Sequence, residues 1–383
     1  MSTAEWRTLA VAISAFVLCS SSVGFGAERD LERAVEKLVA ERGGQLTRDP
    51  ARPGKPVVRV HLPIGGKALT RWDLADIGRL TALEELSIGS AEVFDDDTGL
   101  LLKLQSLRSL DISDCFVEGR GFYRLTELRK LEELAAGVVT EEGLDCIAQI
   151  ATLKSLRMRM ANQIDFEKLS KCKSLRSLAV TGREGVTLGQ VRQIGRLRQL
   201  EKLAIGVFVP IDDGHRIFFE LAKLHKLREL NIVCYDPKTT TGVGFKEIAS
   251  LAHLEFLRTN FDLAERDFAV LARCESLREL HLRSCTNGRA RHVTSLRGLK
   301  ALTVSGGDFN DEGCEFLKDA KLEQLTLSHT RVSDKSVPSL KGMQSLRRLD
   351  LRETRVTAQG VSAIQAALLN TEILHDHQKR VDR

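Results

Sequence analysis

The sequence is poor in aromatic residues and carries little surplus charge. Aromatic side chains make up 5% of the 383 residues although hydrophobic side chains make up 43%, which excludes a core of large rings and favours one of small aliphatic side chains. Lysine and arginine together number 57, and aspartate and glutamate number 52. This difference is too small to indicate a nucleic acid partner.

The usual sequence motifs of catalysis and metal binding are also missing. The chain has no G-x-S-x-G, P-loop, H-E-x-x-H or C-x-x-C pattern, and Gly242 and Gly244 form only an isolated G-x-G. Asp212, Asp213 and His215 lie close together, but they fall at a predicted helix start, where capping accounts for the acids. We therefore predict that the protein is not an enzyme and binds no cofactor and no metal ion.

Residues 1–27 have the pattern of an export signal. An apolar run from Thr8 to Cys19 has twelve residues, within the roughly 7 to 15 of a signal peptide and short of the roughly 20 of a membrane-spanning helix. Cleavage after Gly26 is favoured, because it places small residues at both recognition positions. Two alternatives stay open: an uncleaved anchor, since Glu5 weakens the positive charge of the first residues, and lipidation of Cys19, which the preceding leucine disfavours.

A hydrophobic triplet of the form L-x-x-L-x-L occurs thirteen times between residues 57 and 351. Of its 39 positions all but Thr259 are hydrophobic, and successive triplets begin 22 to 27 residues apart. The alternation within each triplet predicts a short strand, and the segment between two triplets predicts a helix. The first positions of the triplets are Val57, Leu83, Leu107, Leu131, Leu153, Leu175, Leu200, Leu227, Leu254, Leu277, Leu299, Leu322 and Leu346.

Two segments precede this array of triplets. Glu28–Glu41 has apolar residues on one face of a short amphipathic helix, which we predict caps the array because a bare first repeat would expose its core. Its polar face mixes both charges, which argues against the alternative of a helix on an anionic membrane. Residues 43–56 contain several glycines and prolines and are predicted to be a connector.

Polar residues before the helical segments predict helix N-caps. Thr140, Asn310 and Ser333 each precede a segment of helical periodicity, and the acids after them are favoured by the helix dipole. The acidic run Asp95–Asp97 also precedes a helical segment, and it lacks the spacing of a calcium loop. We therefore predict that these acids are structural.

Seven cysteines follow the predicted signal, an odd number with no histidine partner at zinc spacing. Cys115 and Cys285 lie three residues after the last anchor of a strand, where a thiol fills space beneath a turn, and four others fall in predicted helical segments. We expect buried free thiols, with a disulfide among them as the alternative. The seven are Cys115, Cys146, Cys172, Cys234, Cys274, Cys285 and Cys314.

The most regular repeat, Leu346–Val361, carries a family resemblance. L-x-x-L-x-L followed by T-R-V-[ST], as in Thr330–Ser333 and Thr354–Thr357, resembles bacterial exported leucine-rich-repeat proteins of the ribonuclease-inhibitor-like, cysteine-containing class. The resemblance covers roughly Lys55–Leu374. It implies an α/β leucine-rich-repeat solenoid of about 13 repeats, a curved right-handed horseshoe with parallel strands on its concave face and helices on its convex face, and a role in protein binding. The fifth, sixth and ninth repeats depart from the signature, so local irregularity is expected there.

One cluster of exposed strand positions stands out. Side chains alternate along a strand, so the residues between the anchors point away from the core. Phe256, Arg258, His281 and Arg283 are then neighbours on two adjacent strands, and aromatic and arginine residues are frequent anchors of interfaces. A polar insert, Tyr235–Gly242, comes just before them, and insertions in a solenoid often map to its binding face.

These observations define a set of candidate residues for partner binding. The alternative is a solvated strand face on which Glu279 pairs an arginine. The candidates, including two arginines of the fifth strand, are Tyr235, Lys238, Phe256, Arg258, His281, Arg283, Arg157 and Arg159.

The function that we predict from the sequence is a non-catalytic scaffold for protein–protein interaction, exported to the periplasm, the cell envelope or the exterior. It has no nucleic acid partner and no stable membrane span after signal cleavage. The alternative is recognition of an acidic cell-envelope glycan through the basic middle strands, and a purely structural envelope component is a third hypothesis. The predicted segments are the signal peptide (1–27), the capping helix and connector (28–54), the repeats (55–374) and a polar tail (375–383).

Overall fold

The computed structural model describes residues 30–376 except 66, 90–91, 162, 209–213, 236–245, 262, 284 and 307. The predicted signal peptide, Lys238 and most of the polar tail therefore lie outside the described residues. Fifteen strands form an open sheet in which spatial order follows sequence order from the first to the last. The strands are β1 (Gln45–Arg48), β2 (Val57–Leu62), β3 (Glu85–Ile88), β4 (Ser109–Ile112), β5 (Glu133–Val139), β6 (Ser155–Met160), β7 (Ser177–Thr181), β8 (Lys202–Val207), β9 (Glu229–Cys234), β10 (Phe256–Thr259), β11 (Glu279–Arg283), β12 (Ala301–Ser305), β13 (Gln324–Thr326), β14 (Arg348–Asp350) and β15 (Glu372–Leu374).

Short helices connect these strands. The α-helices are α1 (30–41), α2 (Arg71–Ile77), α3 (Gly121–Arg124), α4 (Glu141–Ile147), α5 (Leu188–Ile194), α6 (Gly214–Leu221), α7 (Glu265–Leu271), α8 (Asn287–Ala290), α9 (Asp311–Leu317), α10 (Val337–Gly342) and α11 (Ala358–Ala367). The 3-10 helices are Asp95–Leu101, Leu125–Glu127, Phe166–Lys171, Lys246–Ser250, Arg291–Ser295 and Asp334–Ser336. Within the described part of the chain, no helix has the length and apolar character needed to cross a membrane.

The chain divides into two compact units, Met1–Met158 and Arg159–Arg383, and the division falls within β6. In the first unit β1 pairs with β2 in antiparallel orientation, and β2 to β5 pair in parallel. In the second unit β7 to β15 pair in parallel. Every position of the thirteen predicted triplets is buried, Thr259 included. The leucine-rich-repeat solenoid predicted from the triplets is confirmed.

The segment before the first triplet is more ordered than the sequence predicts. Residues 43–56 were expected to be a connector only, but Gln45–Arg48 forms β1 along the edge of β2. This strand has no fully buried residue, so its sequence lacks the hydrophobic alternation of the others. In α1 the side chains of Val35 and Val39 are buried, and the Glu32 carboxylate accepts a hydrogen bond from the Val57 amide over 3.1 Å. The role of α1 as a cap stays a prediction.

The predicted N-caps are confirmed. The Thr140 hydroxyl accepts from the Gly143 amide over 3.2 Å, and the side chains of Asn310 and Ser333 accept from amides at the starts of the next helical segments. Asp95 accepts from the amides of Glu118 and Gly119, over 3.0 and 3.4 Å. These polar side chains replace the hydrogen-bond partners that helix ends and turns lack.

The expected irregularity is smaller than the sequence suggests. The fifth repeat uses a 3-10 helix, but the sixth and ninth contain the regular helices α5 and α7. Thr259 takes an aliphatic anchor position on β10 without disturbing the register to β9 or β11. The Thr259 hydroxyl accepts a hydrogen bond from the Phe261 amide over 3.1 Å. This polar group therefore has a hydrogen-bond partner in the core.

All seven cysteines after the predicted signal are buried free thiols, as the sequence predicts. Burial raises the pKa of the Cys115 thiol to about 12, with smaller contributions from Asp114 and Asp111, and burial raises the pKa of Cys172 to about 11. Few of these thiols are therefore ionised at neutral pH, and the thiolate is the reactive form.

We expect these thiols to resist modification in the folded protein. In a Cys19→Ser variant at pH 7.5, a maleimide should label the native chain slowly, because all seven thiols are buried. The same chain in concentrated guanidinium chloride should be labelled rapidly at all seven positions, as counted by mass spectrometry. Rapid stoichiometric labelling of the native chain would contradict the packing described for the cysteines.

Candidate functional site

The parallel register of the second unit brings four predicted site residues together. Arg258 on β10 lies opposite Asn231 on β9 and opposite His281 on β11. Phe256 and Arg283 lie two residues away on the same face of these strands, and the rings of Phe256 and His281 are 5.0 Å apart between centroids. We call this surface of the sheet, which carries the side chains between the buried anchors, the strand face.

Three of these residues line an open pocket where the strands end. The pocket has a volume of about 360 Å³ and is lined by Arg258, His281, Arg283, Asn260, Thr303 and Ser305, among others. We call it the arginine pocket. Phe256 is not part of its lining, but its ring packs against the lining residue His281.

The arginines of the pocket differ from several other basic residues of the strand face. Lys202 is 2.6 Å from Glu229, Arg348 is 3.1 Å from Glu372, and Arg352 pairs with Asp350. In contrast, neither Arg258 nor Arg283 has an ion pair or a side-chain hydrogen bond within the described part of the chain. No described acid therefore pairs with either of these two guanidinium groups, which lie on adjacent strands.

The acid expected to neutralise an arginine has another partner. Glu279 was considered as the partner of an arginine on a solvated face, but its Oε1 atom lies 2.6 Å from Nε2 of His281. The pair places a carboxylate next to the pocket without neutralising Arg258 or Arg283. This arrangement was not evident from the sequence, because His281 and Arg283 follow Glu279 on its own strand and Arg258 lies on the neighbouring strand, so each was a candidate partner.

The pocket has a rigid polar floor. Oδ1 of Asn260 accepts from the Cys234 amide and Nδ2 of Asn260 donates to the Cys234 carbonyl, each over 2.7 Å. The amide of Asn260 is therefore used to hold the end of β9. The hydroxyls of Thr303 and Ser305 make no hydrogen bond to any other described residue, so they remain available to a ligand.

An aromatic edge lies at the ends of the neighbouring strands. Tyr235, which follows β9, keeps 42% of its surface exposed, and Phe208, which follows β8, keeps 52%. The Tyr235 ring lies on Gly206, where a β-carbon would come within 2.2 Å of the ring. Glycine at this position therefore allows the ring to lie against the strand.

The remaining predicted site residues lie elsewhere. Arg157 and Arg159 are exposed on β6 and do not line the arginine pocket. Lys238 falls outside the described residues. The sequence analysis did not identify Asn260, Thr303 and Ser305 as pocket residues. A signal for two of them was present, because Asn260, Arg283 and Ser305 each directly follow the third buried position of a triplet and so occupy equivalent positions in three repeats.

No metal site is evident in the described ranges. They contain no group of three or more His, Cys, Asp or Glu side chains that could hold an ion.

Comparisons with known proteins agree with the observed repeats. A family model described as a leucine-rich repeat matches residues 342–364. A protein of Trypanosoma equiperdum, provisionally named an adenylate cyclase regulatory protein, is 30% identical over 132 residues, which are 33% of this chain. The chain spans 21% of the length of that relative.

Solved structures of other proteins are similar to this chain at low sequence identity. An internalin from Listeria monocytogenes has a TM-score of 0.50 and 18% identity, with coverage of 92% of this chain and 96% of the internalin chain. A leucine-rich-repeat protein from Leptospira interrogans has a TM-score of 0.43 and 16% identity, with coverage of 89% and 97%. The thirteen buried triplets and the parallel sheet, together with the family match over residues 342–364, show that this chain has the leucine-rich-repeat fold.

Proposed function

We propose that this protein is an exported, non-catalytic scaffold that binds a partner protein through the strand face of its second unit. The observation that carries the proposal is the pair Arg258 and Arg283, with which no described acid forms an ion pair, beside the aromatic contact of Phe256 with His281. Arginine and aromatic side chains supply much of the binding free energy at protein interfaces. Export rests on the signal-like residues 1–27.

Recognition of an acidic glycan is the second candidate, and it rests on the same two arginines. A contact carried mainly by charge weakens steeply as salt rises, whereas an interface with buried apolar and aromatic area keeps more of its affinity. The exposed rings of Tyr235 and Phe208, at the ends of β9 and β8, favour the protein partner.

Charge reversal of the two arginines tests the proposed binding face. The double variant Arg258→Glu/Arg283→Glu should fold normally, because both side chains are exposed, and should lose affinity for the partner by about 100-fold or more, since each arginine is a candidate anchor. The measurement is capture from the cell envelope of the source organism by residues 28–383, followed by biolayer interferometry with the captured protein.

The matched control is Arg198→Glu/Arg297→Glu, which makes the same change of charge at two exposed positions of the second unit that do not line the pocket. It should retain the captured protein with unchanged affinity. Equal losses in both double variants would show a general effect of charge, and an unchanged affinity of the pocket variant would remove the strand face as the binding site. Retention of polysaccharide without an enriched protein would favour the glycan candidate.

A further inference from the structure

We propose that the arginine pocket binds the carboxylate of an acidic side chain in an extended segment of the partner protein, with an adjacent apolar side chain against the aromatic edge. This inference rests on the proposed function, because it names the chemistry that the same face recognises. The ligand group would lie between Arg258 and Arg283, within reach of the hydroxyls of Thr303 and Ser305.

The pocket is selective for a negative charge. Like charges on adjacent strands are unfavourable, and several other basic residues of the strand face are paired with acids. An anion shared by Arg258 and Arg283 would remove their repulsion and satisfy both guanidinium forks. The planar guanidinium also matches a carboxylate through two parallel hydrogen bonds.

The same sheet already contains a contact of this type. Nε of Arg352 lies 2.9 Å from Oδ1 of Asp350, and Nη2 of Arg352 lies 2.5 Å from Oδ2 of Asp350. The guanidinium group of Arg352, just after β14, thus forms a bidentate interaction with the carboxylate of Asp350. In the arginine pocket the guanidinium groups are present, but the carboxylate is not supplied by any described residue.

The charges around the pocket favour a carboxylate over a phosphate group. The carboxylate of Glu279 is held by His281, which lines the pocket. A phosphate with nearly two negative charges would be repelled by Glu279 more strongly than a carboxylate with one. The surroundings are therefore better matched to a single negative charge.

The remaining surface favours a peptide over an acidic sugar chain. The amide of Asn260, which could otherwise bind sugar hydroxyls, is used on both sides by Cys234. Val233 contributes an apolar wall to the pocket, and Tyr235 and Phe208 present exposed rings at the ends of the neighbouring strands. A segment that carries an aspartate or glutamate next to an aromatic or aliphatic residue would engage both kinds of surface.

A peptide selection tests this chemistry while the partner protein is still unidentified. A phage-displayed library of random 12-residue peptides is selected on residues 28–383 and, in parallel, on the Arg258→Gln/Arg283→Gln variant, with thermal melting used to confirm that both are folded. Peptides selected only on the unmodified chain should contain an acidic residue next to an aromatic or aliphatic one. Their synthetic versions should bind about tenfold or more weakly to each single arginine variant.

A double-mutant cycle identifies the contact. Replacing the acidic residue of the peptide by its amide should weaken binding to the unmodified chain by about tenfold or more, and should have little further effect on binding to Arg258→Gln/Arg283→Gln. The control Arg198→Gln/Arg297→Gln should show the same loss for the amide peptide as the unmodified chain. Full additivity of the peptide and protein changes would overturn the proposed contact.

Other outcomes separate this inference from the proposed function. Charge reversal could abolish binding of the captured partner while the selected peptides contain no acidic residue. In that case the proposed carboxylate ligand is wrong, and the strand face remains the proposed binding site. If charge reversal leaves the captured partner bound and the two arginines make no difference to any selected peptide, both fail. A phosphopeptide or an oligogalacturonate that binds more tightly than the carboxylate peptides, and depends on both arginines, would overturn the choice of an acidic peptide.

Discussion

Leu280→Asp is expected to abolish cooperative folding of the second unit. Leu280 is fully buried on β11 and lies in register with Leu257 on β10 and with Leu302 on β12, so the side chains of three repeats meet at this position. A carboxylate there would be removed from water without a partner, which costs well over the roughly 4 kcal/mol that marks an exceptional substitution. Domains are stable by only about 5–15 kcal/mol, so this loss should remove most of the stability.

The measurement is thermal and urea unfolding followed by circular dichroism, with two controls. Leu369→Asp makes the same chemical change at a leucine that is 81% exposed, and should change the free energy of unfolding by less than about 0.5 kcal/mol. Arg283→Ala removes an exposed side chain from the same strand and should be equally mild. Unchanged melting of Leu280→Asp would contradict the strand register.

Gly143→Ala is expected to destabilise the first unit although alanine is the better helix former. Gly143 lies in the first turn of α4, and a β-carbon on it would come within 2.2 Å of the Glu118 carbonyl oxygen. That oxygen accepts hydrogen bonds from the amide and the hydroxyl of Thr140, the N-cap residue of α4. Helix propensity favours alanine by about 1 kcal/mol, but displacing this bonded backbone should cost about 1–3 kcal/mol more than it gains.

A second glycine provides the matched control for the sign of this effect. Gly189 lies in the first turn of α5, and the nearest atom to its added β-carbon is the Thr187 hydroxyl at 3.9 Å. Gly189→Ala should therefore raise the free energy of unfolding by about 0.5–1 kcal/mol, through helix propensity alone. The measurement is the free energy of unfolding of both variants from urea denaturation. A stabilised Gly143→Ala would show that the Glu118 carbonyl can move freely.

Part of the candidate site could be predicted because strand register follows from burial. Each triplet must bury its anchors, and a shift of one residue would turn every side chain to the other face. Repeats with equivalent anchors therefore place Arg258 opposite His281, as the sequence predicts. Strand β1 could not be predicted in this way, because it has no buried residue that would mark it in the sequence.

The pairing of side chains could not be predicted in this way. Glu279 had both His281 and the two arginines within reach by sequence, and the choice depends on rotamers and on competing partners in three dimensions. The pocket itself needs Asn260 to hold the end of β9, a contact between residues 26 positions apart. Neither contact leaves a periodic signal in the chain.

The sequence by itself therefore determined the repeat, the buried anchors and the helix caps, because each depends on local pattern and burial. Only the tertiary structure decided which charges of the strand face are neutralised and which are left for a ligand. Register brings side chains to the same surface, but whether two of them pair depends on distances of a few tenths of an ångström, and these are set by the packing of several repeats together.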